Sequence, residues 1–164
     1  MCDAYRKQVE ILFDTDSSDL ISNGLPEHAA ILLSNIFSHA KKSVKIFCDS
    51  MAPEVYKSEY LRNALNRIIA DNSGVEVKIL ICNPLSENMK KLLAGKSVLI
   101  RKVPDNIKNL EKLFHFTVAD AKAFRAETKH SPPSAIGCAN NPASAKVYDN
   151  LFENIWKYSS PFEL

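Results

Sequence analysis

No apolar run in this 164-residue sequence reaches the roughly 18 residues that a membrane-crossing helix needs. The opening residues, Met1-Cys2-Asp3-Ala4-Tyr5-Arg6, lack the positively charged segment followed by an apolar one that marks a secretory leader. Neither a transmembrane span nor export is expected, so the reading is a cytoplasmic protein. The four cysteines, Cys2, Cys48, Cys82 and Cys138, are far apart with no Cys-x-x-Cys spacing, which removes the zinc-ribbon and thioredoxin-type sites. Cys48 and Cys82 each end an apolar, β-branched run and read as reduced, buried thiols at strand ends. The four histidines are scattered too, with no His-Glu-x-x-His pair and no carboxylate triplet, so no metal and no cofactor is expected. Internal repeats and low-complexity tracts are also lacking.

What is present fits one globular unit. Hydrophobic residues make up 46% and charged residues 24%, a balance that favours neither disorder nor a membrane protein. The length supports one complete core and not two comfortable ones. A net charge of +2 says little about partners, but its distribution is uneven. Lys90, Lys91, Lys96, Arg101 and Lys102 follow one another with no acid between them, while Glu10, Asp14, Asp16, Asp19 and Glu27 crowd the N-terminal region. Such a basic run reads either as solvated surface or as a face for phosphates.

Along the chain, residues 8–13 alternate enough for a short strand and lead into a polar loop over 14–24. Pro26 and Glu27 open a helix with Ala30, Leu33, Ile36 and Phe37 inward, closed by His39, Lys41 and Lys42. Residues 44–48 form a strand, 54–71 a helix, and 75–81 the most strand-like run of the chain, expected centrally in the sheet. Ser86 caps a short helix closed by Gly95, and 97–103 is another strand. After a connection over 107–112 comes a hairpin. Residues 128–134, with Pro132 and Pro133, read as a stiff loop that brings His130 toward the hairpin's polar face. A last strand over 135–139 precedes a helix opened by Asn140-Asn141-Pro142 and running to Tyr158, with Val147, Leu151, Ile155 and Tyr158 as its stripe, widened by Phe152 and Trp156. Alternation first and meander later predict a single α/β domain, a mixed β-sheet with helices on both faces. The expected organisation is an N-terminal strand and loop over 1–25, the domain over 26–160 and a tail over 161–164.

The hairpin carries the chemistry. Residues 113–127 alternate large apolar and polar residues around an Asp120-Ala121-Lys122 break. With that turn, Ala119 faces Ala123, Thr117 faces Arg125 and His115 faces Glu127, because side-chain direction has period two. One face is then Phe114, Phe116, Val118, Phe124 and Ala126; the other holds His115, Thr117, Arg125 and Glu127. Such cross-strand pairs also suit a plain solvated face, each worth a few tenths to about 1 kcal/mol, so both readings stand.

These residues resemble the phospholipase D-like superfamily, whose members carry His-x-Lys-x4-Asp on a strand hairpin and Gly-Ser-x-Asn at the end of a later strand. Gly137-Cys138-Ala139-Asn140 looks like the second element, with Cys in place of Ser, and Lys41-Lys42-Ser43-Val44-Lys45-Ile46-Phe47 with the helix before it is similar to the first helix and strand. A bacterial branch of single-domain members is closer still, through segments like Ala52-Pro53-Glu54-Val55-Tyr56, Phe116-Thr117-Val118-Ala119-Asp120 with Arg125 following, and Ala139-Asn140-Asn141-Pro142 through Ile155-Trp156. The similarity spans roughly residues 26 to 160.

The departures decide what the resemblance implies. With His115 as the family nucleophile, Thr117 replaces the lysine and Lys122 stands where the aspartate belongs; with Asp120 as the family aspartate, the nucleophile position falls on Leu113 and the lysine position on His115. Neither register restores the set. The family mechanism needs a nucleophilic imidazole, a second histidine as acid and lysines on the phosphate, supplied by two motifs in two halves or a homodimer. Without that cation, electrostatic stabilisation is lost. The leading expectation is a non-catalytic, homodimeric binding or regulatory module whose old phosphate pocket, His115, Thr117, Arg125 and Asn140 with Glu127 and Asp120 in support, holds an anion, a nucleotide or a nucleic-acid phosphate. One alternative is a metal-independent phosphodiesterase, a nuclease or phospholipase acting as a homodimer through His115, with Arg125 for the lysine, Glu127 orienting the ring and the second chain bringing its own His115. The other is a structural protein whose C-terminal helix and residues 159–164 dock on a protein partner.

Overall fold

The computed structural model describes residues 2–110, 113–130 and 132–164, with the backbone alone at His130. Among them, eight strands form one sheet: β1 (Ile21–Asn23), β2 (Ser43–Cys48), β3 (Glu76–Ile81), β4 (Leu99–Lys102), β5 (Phe116–Ala119), β6 (Ala123–His130), β7 (Pro133–Cys138) and β8 (Ser160–Pro161). Their spatial order is β1-β7-β6-β5-β2-β3-β4-β8. β2, β3 and β4 run parallel, and all other neighbours are antiparallel. The mixed sheet follows from the chain order: crossover helices return the first strands in the same direction, and short turns then reverse the later ones.

The helices are α1 (Cys2–Asp14), α2 (Pro26–His39), α3 (Pro53–Tyr56), α4 (Glu59–Ile68), α5 (Glu87–Leu93), α6 (Asp105–Lys108) and α7 (Pro142–Tyr158). One face of the sheet buries α1, α2, α4 and α5 through residues such as Val9, Ile36, Leu65 and Leu93. The other packs Phe47, Leu80, Phe116, Val118 and Phe124 against Ala145, Phe152 and Ile155 of α7. Full burial of a side chain like Phe152, 0% exposed, stabilises by roughly 1.5–3 kcal/mol. The expected α/β domain with helices on both faces is the one found.

Several elements differ from their sequence reading. Residues 8–13 are helical, not a strand: Val9 and Phe13 are buried four residues apart while Ile11 between them is 61% exposed, so the inward spacing is that of a helix turn. The strand of the N-terminal segment is β1, inside the stretch read as polar loop. The helix expected over 54–71 is broken into α3 and α4, and β3 lies inside the sheet one strand away from its middle. Much of the stretch read as a stiff loop is strand among the described residues: β6 and β7 pair through Lys129↔Ser134 and His130↔Pro133 beyond a register shift, and residue 131 lies outside the described residues. Pro133 stands at the first residue of its strand, where a missing N–H is tolerated. On α7 the buried side is Ala145, Phe152 and Ile155, whereas Val147 and Tyr158 are 64% and 74% exposed. The tail begins inside the sheet, with β8 paired to β4 and the Phe162 N–H donating to the Ile100 carbonyl at 2.9 Å. Residues 111 and 112 of the connection before the hairpin, and the His130 side chain, lie outside the described residues.

Candidate functional site

The β5–β6 register is the one the alternation dictates, with Thr117 opposite Arg125 and Ala119 opposite Ala123. The Glu127 N–H donates to the His115 carbonyl at 2.9 Å, which continues the pairing beyond the last strand residue. Phe116, Val118, Phe124 and Ala126 therefore face α7, and His115, Thr117, Arg125 and Glu127 turn together to the opposite face. There they line a cavity of about 100 Å³ beneath α2 and α3, closed by Asp49, Met51 and Tyr56. It sits at the carboxyl end of β2, beside the point where parallel pairing gives way to antiparallel, a position that open α/β sheets commonly use for ligands.

Inside the cavity one carboxylate meets two bases. Glu127 Oε2 lies 3.5 Å from His115 Nδ1 and Oε1 lies 3.8 Å from Arg125 Nη1. The His115 ring also stands edge-on to Phe47, with centroids 5.4 Å apart. The Arg125 side chain is 14% exposed; burial lowers its pKa, while Glu127, Tyr56 and Tyr5 act in the opposite sense. Its Nε is buried with no hydrogen-bond partner, an arrangement that costs about 1–3 kcal/mol in a protein interior. Burial also raises the Tyr56 hydroxyl, and it pushes the Cys48 thiol up to about 12, which favours the protonated thiol; Cys48 is partly exposed rather than the fully buried thiol expected.

Two expected members lie elsewhere. Asp120 follows the last residue of β5 and His115 precedes the first, so they are roughly 16 Å apart along the strand at about 3.3 Å per residue. The Asp120 carboxylate accepts backbone N–H groups of Lys41, Lys42 and Ser43 at 2.9, 2.8 and 2.9 Å, which pins the entry into β2. Asn140 is at that same end, because β7 runs antiparallel to β6 and carries the chain back to the turn. Its Nδ2 donates to the Asp16 carboxylate at 3.1 Å, and its N–H to the Ser17 carbonyl at 3.0 Å. The structure thus joins His115, Thr117, Arg125 and Glu127 and does not bring Asn140 or Asp120 to them.

Sequence reading missed the wall made by Asp49, Met51 and Tyr56. Asp49 accepts from Asn83 Nδ2, and Asn83 Oδ1 accepts from Lys108 Nζ at 3.0 Å. Its place directly after a parallel strand was the available signal. In the basic run, Arg101 donates to the Trp156 carbonyl at 2.8 Å and stacks 4.6 Å over its ring, and Lys90 pairs with Glu87 at 2.7 Å. Among the described residues no group of three or more His, Cys, Asp or Glu side chains is placed to hold a metal, and no helix is long and apolar enough to cross a membrane.

Solved structures with this architecture include Nuc, a phospholipase D family member from Salmonella typhimurium, at 15% identity and a TM-score of 0.61, covering 89% of this chain and 99% of that one. NucT from Helicobacter pylori matches at 12% identity and 0.56, covering 88% and 100%. TrmBL2, described as an archaeal chromatin protein with a novel mode of DNA binding, matches at 11% and 0.61 over 98% of this chain, which spans 61% of its length. No protein of curated function matches in sequence. The chain shares its fold with these solved structures, one of them a phospholipase D family member. A profile described as "Domain of unknown function (DUF7931)" matches residues 25–163, and the chain belongs to that family.

Proposed function

We propose that this chain is a non-catalytic phospholipase D-like module, assembled as a homodimer, that binds a phosphate-bearing ligand in the His115–Arg125 cavity. The observation that carries this reading is the charge inventory of the cavity. Among its described lining residues Arg125 is the single permanent cation, and the Glu127 carboxylate faces both it and His115. Displacement at a phosphodiester builds negative charge that must be met by fixed positive groups, and here a carboxylate already meets them. Binding is less demanding, since Arg125, His115 and Thr117 line one small space together. One structural neighbour is a phospholipase D family member and another a DNA-binding protein; the chemistry common to lipid and nucleic-acid ligands of this kind is a phosphodiester, and that is the ligand class proposed.

The test is a titration of the full chain with phosphate, tungstate and short oligonucleotides, following the His115 ring resonances. Saturable shifts that weaken at least tenfold in Arg125→Lys are expected. Absence of any shift removes the binding reading and leaves a structural role in partner docking. A contrasting enzymatic reading draws on the 3.5 Å approach of Glu127 to His115, since a carboxylate beside an imidazole can orient a nucleophile or base. Metal-independent cleavage of bis(p-nitrophenyl) phosphate, abolished in His115→Ala, would select it. Sedimentation at the mass of two chains is expected; a single-chain mass removes the homodimer.

A further inference from the structure

A second cavity, of about 330 Å³, opens at the end of the sheet away from His115. One wall is Phe13 and Asp16 from the N-terminal segment, which precedes the family match at residues 25–163; the rest belongs to the family domain. Its floor is small by composition. Ala119 and Ala123 face each other across the hairpin and Ala139 lies beside them, and all three are buried. Three methyl groups leave open the space that larger side chains would fill, with Phe13 and Ile36 as apolar sides. The volume falls within the roughly 300–1,000 Å³ typical of small-molecule sites.

At the rim the acids are already engaged and donors are left over. Asp120 accepts three backbone N–H groups. Asp16 is held by Lys122 Nζ at 2.5 Å and Asn140 Nδ2 at 3.1 Å, and Asp14 faces His39 Nε2 at 3.5 Å. Lys122 keeps two further N–H donors, and among the described residues the Lys41 ammonium forms no ion pair. The positive φ of Asp16, Asp120 and Ala121, 55°, 55° and 50°, belongs to the local chain path. Asp16 ends α1, where the Ser17 N–H donates to the Leu12 carbonyl at 2.8 Å, as helix ends commonly do. Asp120 and Ala121 form the turn between β5 and β6, where hairpins favour that conformation.

We propose that this cavity binds a small carboxylic acid with a compact apolar body, which rests on the alanine floor against Phe13 and Ile36 while its carboxylate meets Lys41 and Lys122. The site is independent of the His115 cavity and of what that cavity binds. It exists only where the N-terminal segment is docked, so it ties a ligand to the placement of α1.

The experiment is a titration of the full chain with benzoate, isovalerate and the uncharged benzamide, following backbone and methyl resonances. Benzoate or isovalerate should produce saturable shifts at Ala119, Ala123 and His39, and benzamide should bind at least tenfold more weakly. Lys41→Ala, whose side chain is exposed, should weaken the acid about tenfold with its unfolding midpoint unchanged, while Ala123→Val should weaken it by narrowing the floor. Because the second variant can disturb the hairpin, Lys41→Ala alone decides the ionic contact. Equal binding of benzoate and benzamide, no saturable shift by either acid, or an affinity that falls in His115→Ala would each overturn the proposal.

Discussion

The Glu127 carboxylate stands 3.5 Å from the His115 imidazole, and its second oxygen reaches toward Arg125 at 3.8 Å. The partner that holds these two bases in place also opposes any anion they attract. Replacing it with a neutral isostere keeps the shape and removes the opposing charge. Glu127→Gln is therefore expected to tighten tungstate binding about tenfold, equivalent to about 1.4 kcal/mol, by isothermal titration. Unchanged or weaker binding would mean that Glu127 acts only by positioning His115.

Asp120 serves the fold through the three backbone N–H groups that open β2. Asp120→Ala should lower unfolding stability by roughly 1–3 kcal/mol, because charge-assisted bonds are lost and alanine is a poorer occupant of its φ of 55° than aspartate. Asp120→Asn should recover part of this loss. Urea denaturation measures both, and the His115 cavity should keep its anion affinity within twofold.

Gly137 on β7 lies under Leu32 of α2, and a Cβ there would collide with the Leu32 side chain. Leu32 is 0% exposed, so it has little room to move. Gly137→Ala should cost about 1–3 kcal/mol through overpacking, and Leu32→Val in the same chain should return part of it. Additive losses in the double variant would show that the two sites do not touch.

The hairpin was legible because its alternation and its turn agreed on one register, and the β-strand period then placed His115, Thr117, Arg125 and Glu127 on a common face. The N-terminal helix was not. Val9, Ile11 and Phe13 satisfy a period of two as readily as Val9 and Phe13 satisfy a helix turn, and only packing against α2 leaves Ile11 outside. On α7 the apolar residues form two adjacent stripes, and the sheet selected the one containing the small Ala145. Asn140 could not be located without the strand order, since the direction of β7 carries it to the Asp120 end. Asp49, Met51 and Tyr56 reach the cavity through the pairing of β2 with β5, which joins segments some seventy residues apart.

The α7 face carries a pH dependence. Lys45 Nζ lies 2.6 Å from Asp149 and 3.0 Å from Glu153, and Lys78 Nζ lies 3.3 Å from Glu153. Burial works against the Lys45 charge, yet its hydrogen bonds to Asp149 and Glu153 raise its pKa overall. Burial likewise opposes ionisation of Glu153, and Lys45 and Lys78 bring its carboxyl below the usual range. The Glu153 contribution is thus complete above the unfolded value of about 4.3 and is lost as pH falls through the lower folded value. The Lys45 contribution is complete below about 10.4 and is lost as pH rises through the higher folded value. Melting temperatures of the natural chain and Glu153→Gln should differ at pH 6 and converge as pH falls below about 4; a gap that persists in acid would contradict the ion pairs.

Recognition without turnover is the central claim, and phosphorus NMR of a simple diester mixed with the chain tests it most directly. The expected result is saturable perturbation of the diester resonance, weakened in Arg125→Lys, with no monoester signal after prolonged incubation without added metal. A monoester signal that grows with time and disappears in His115→Ala would contradict it.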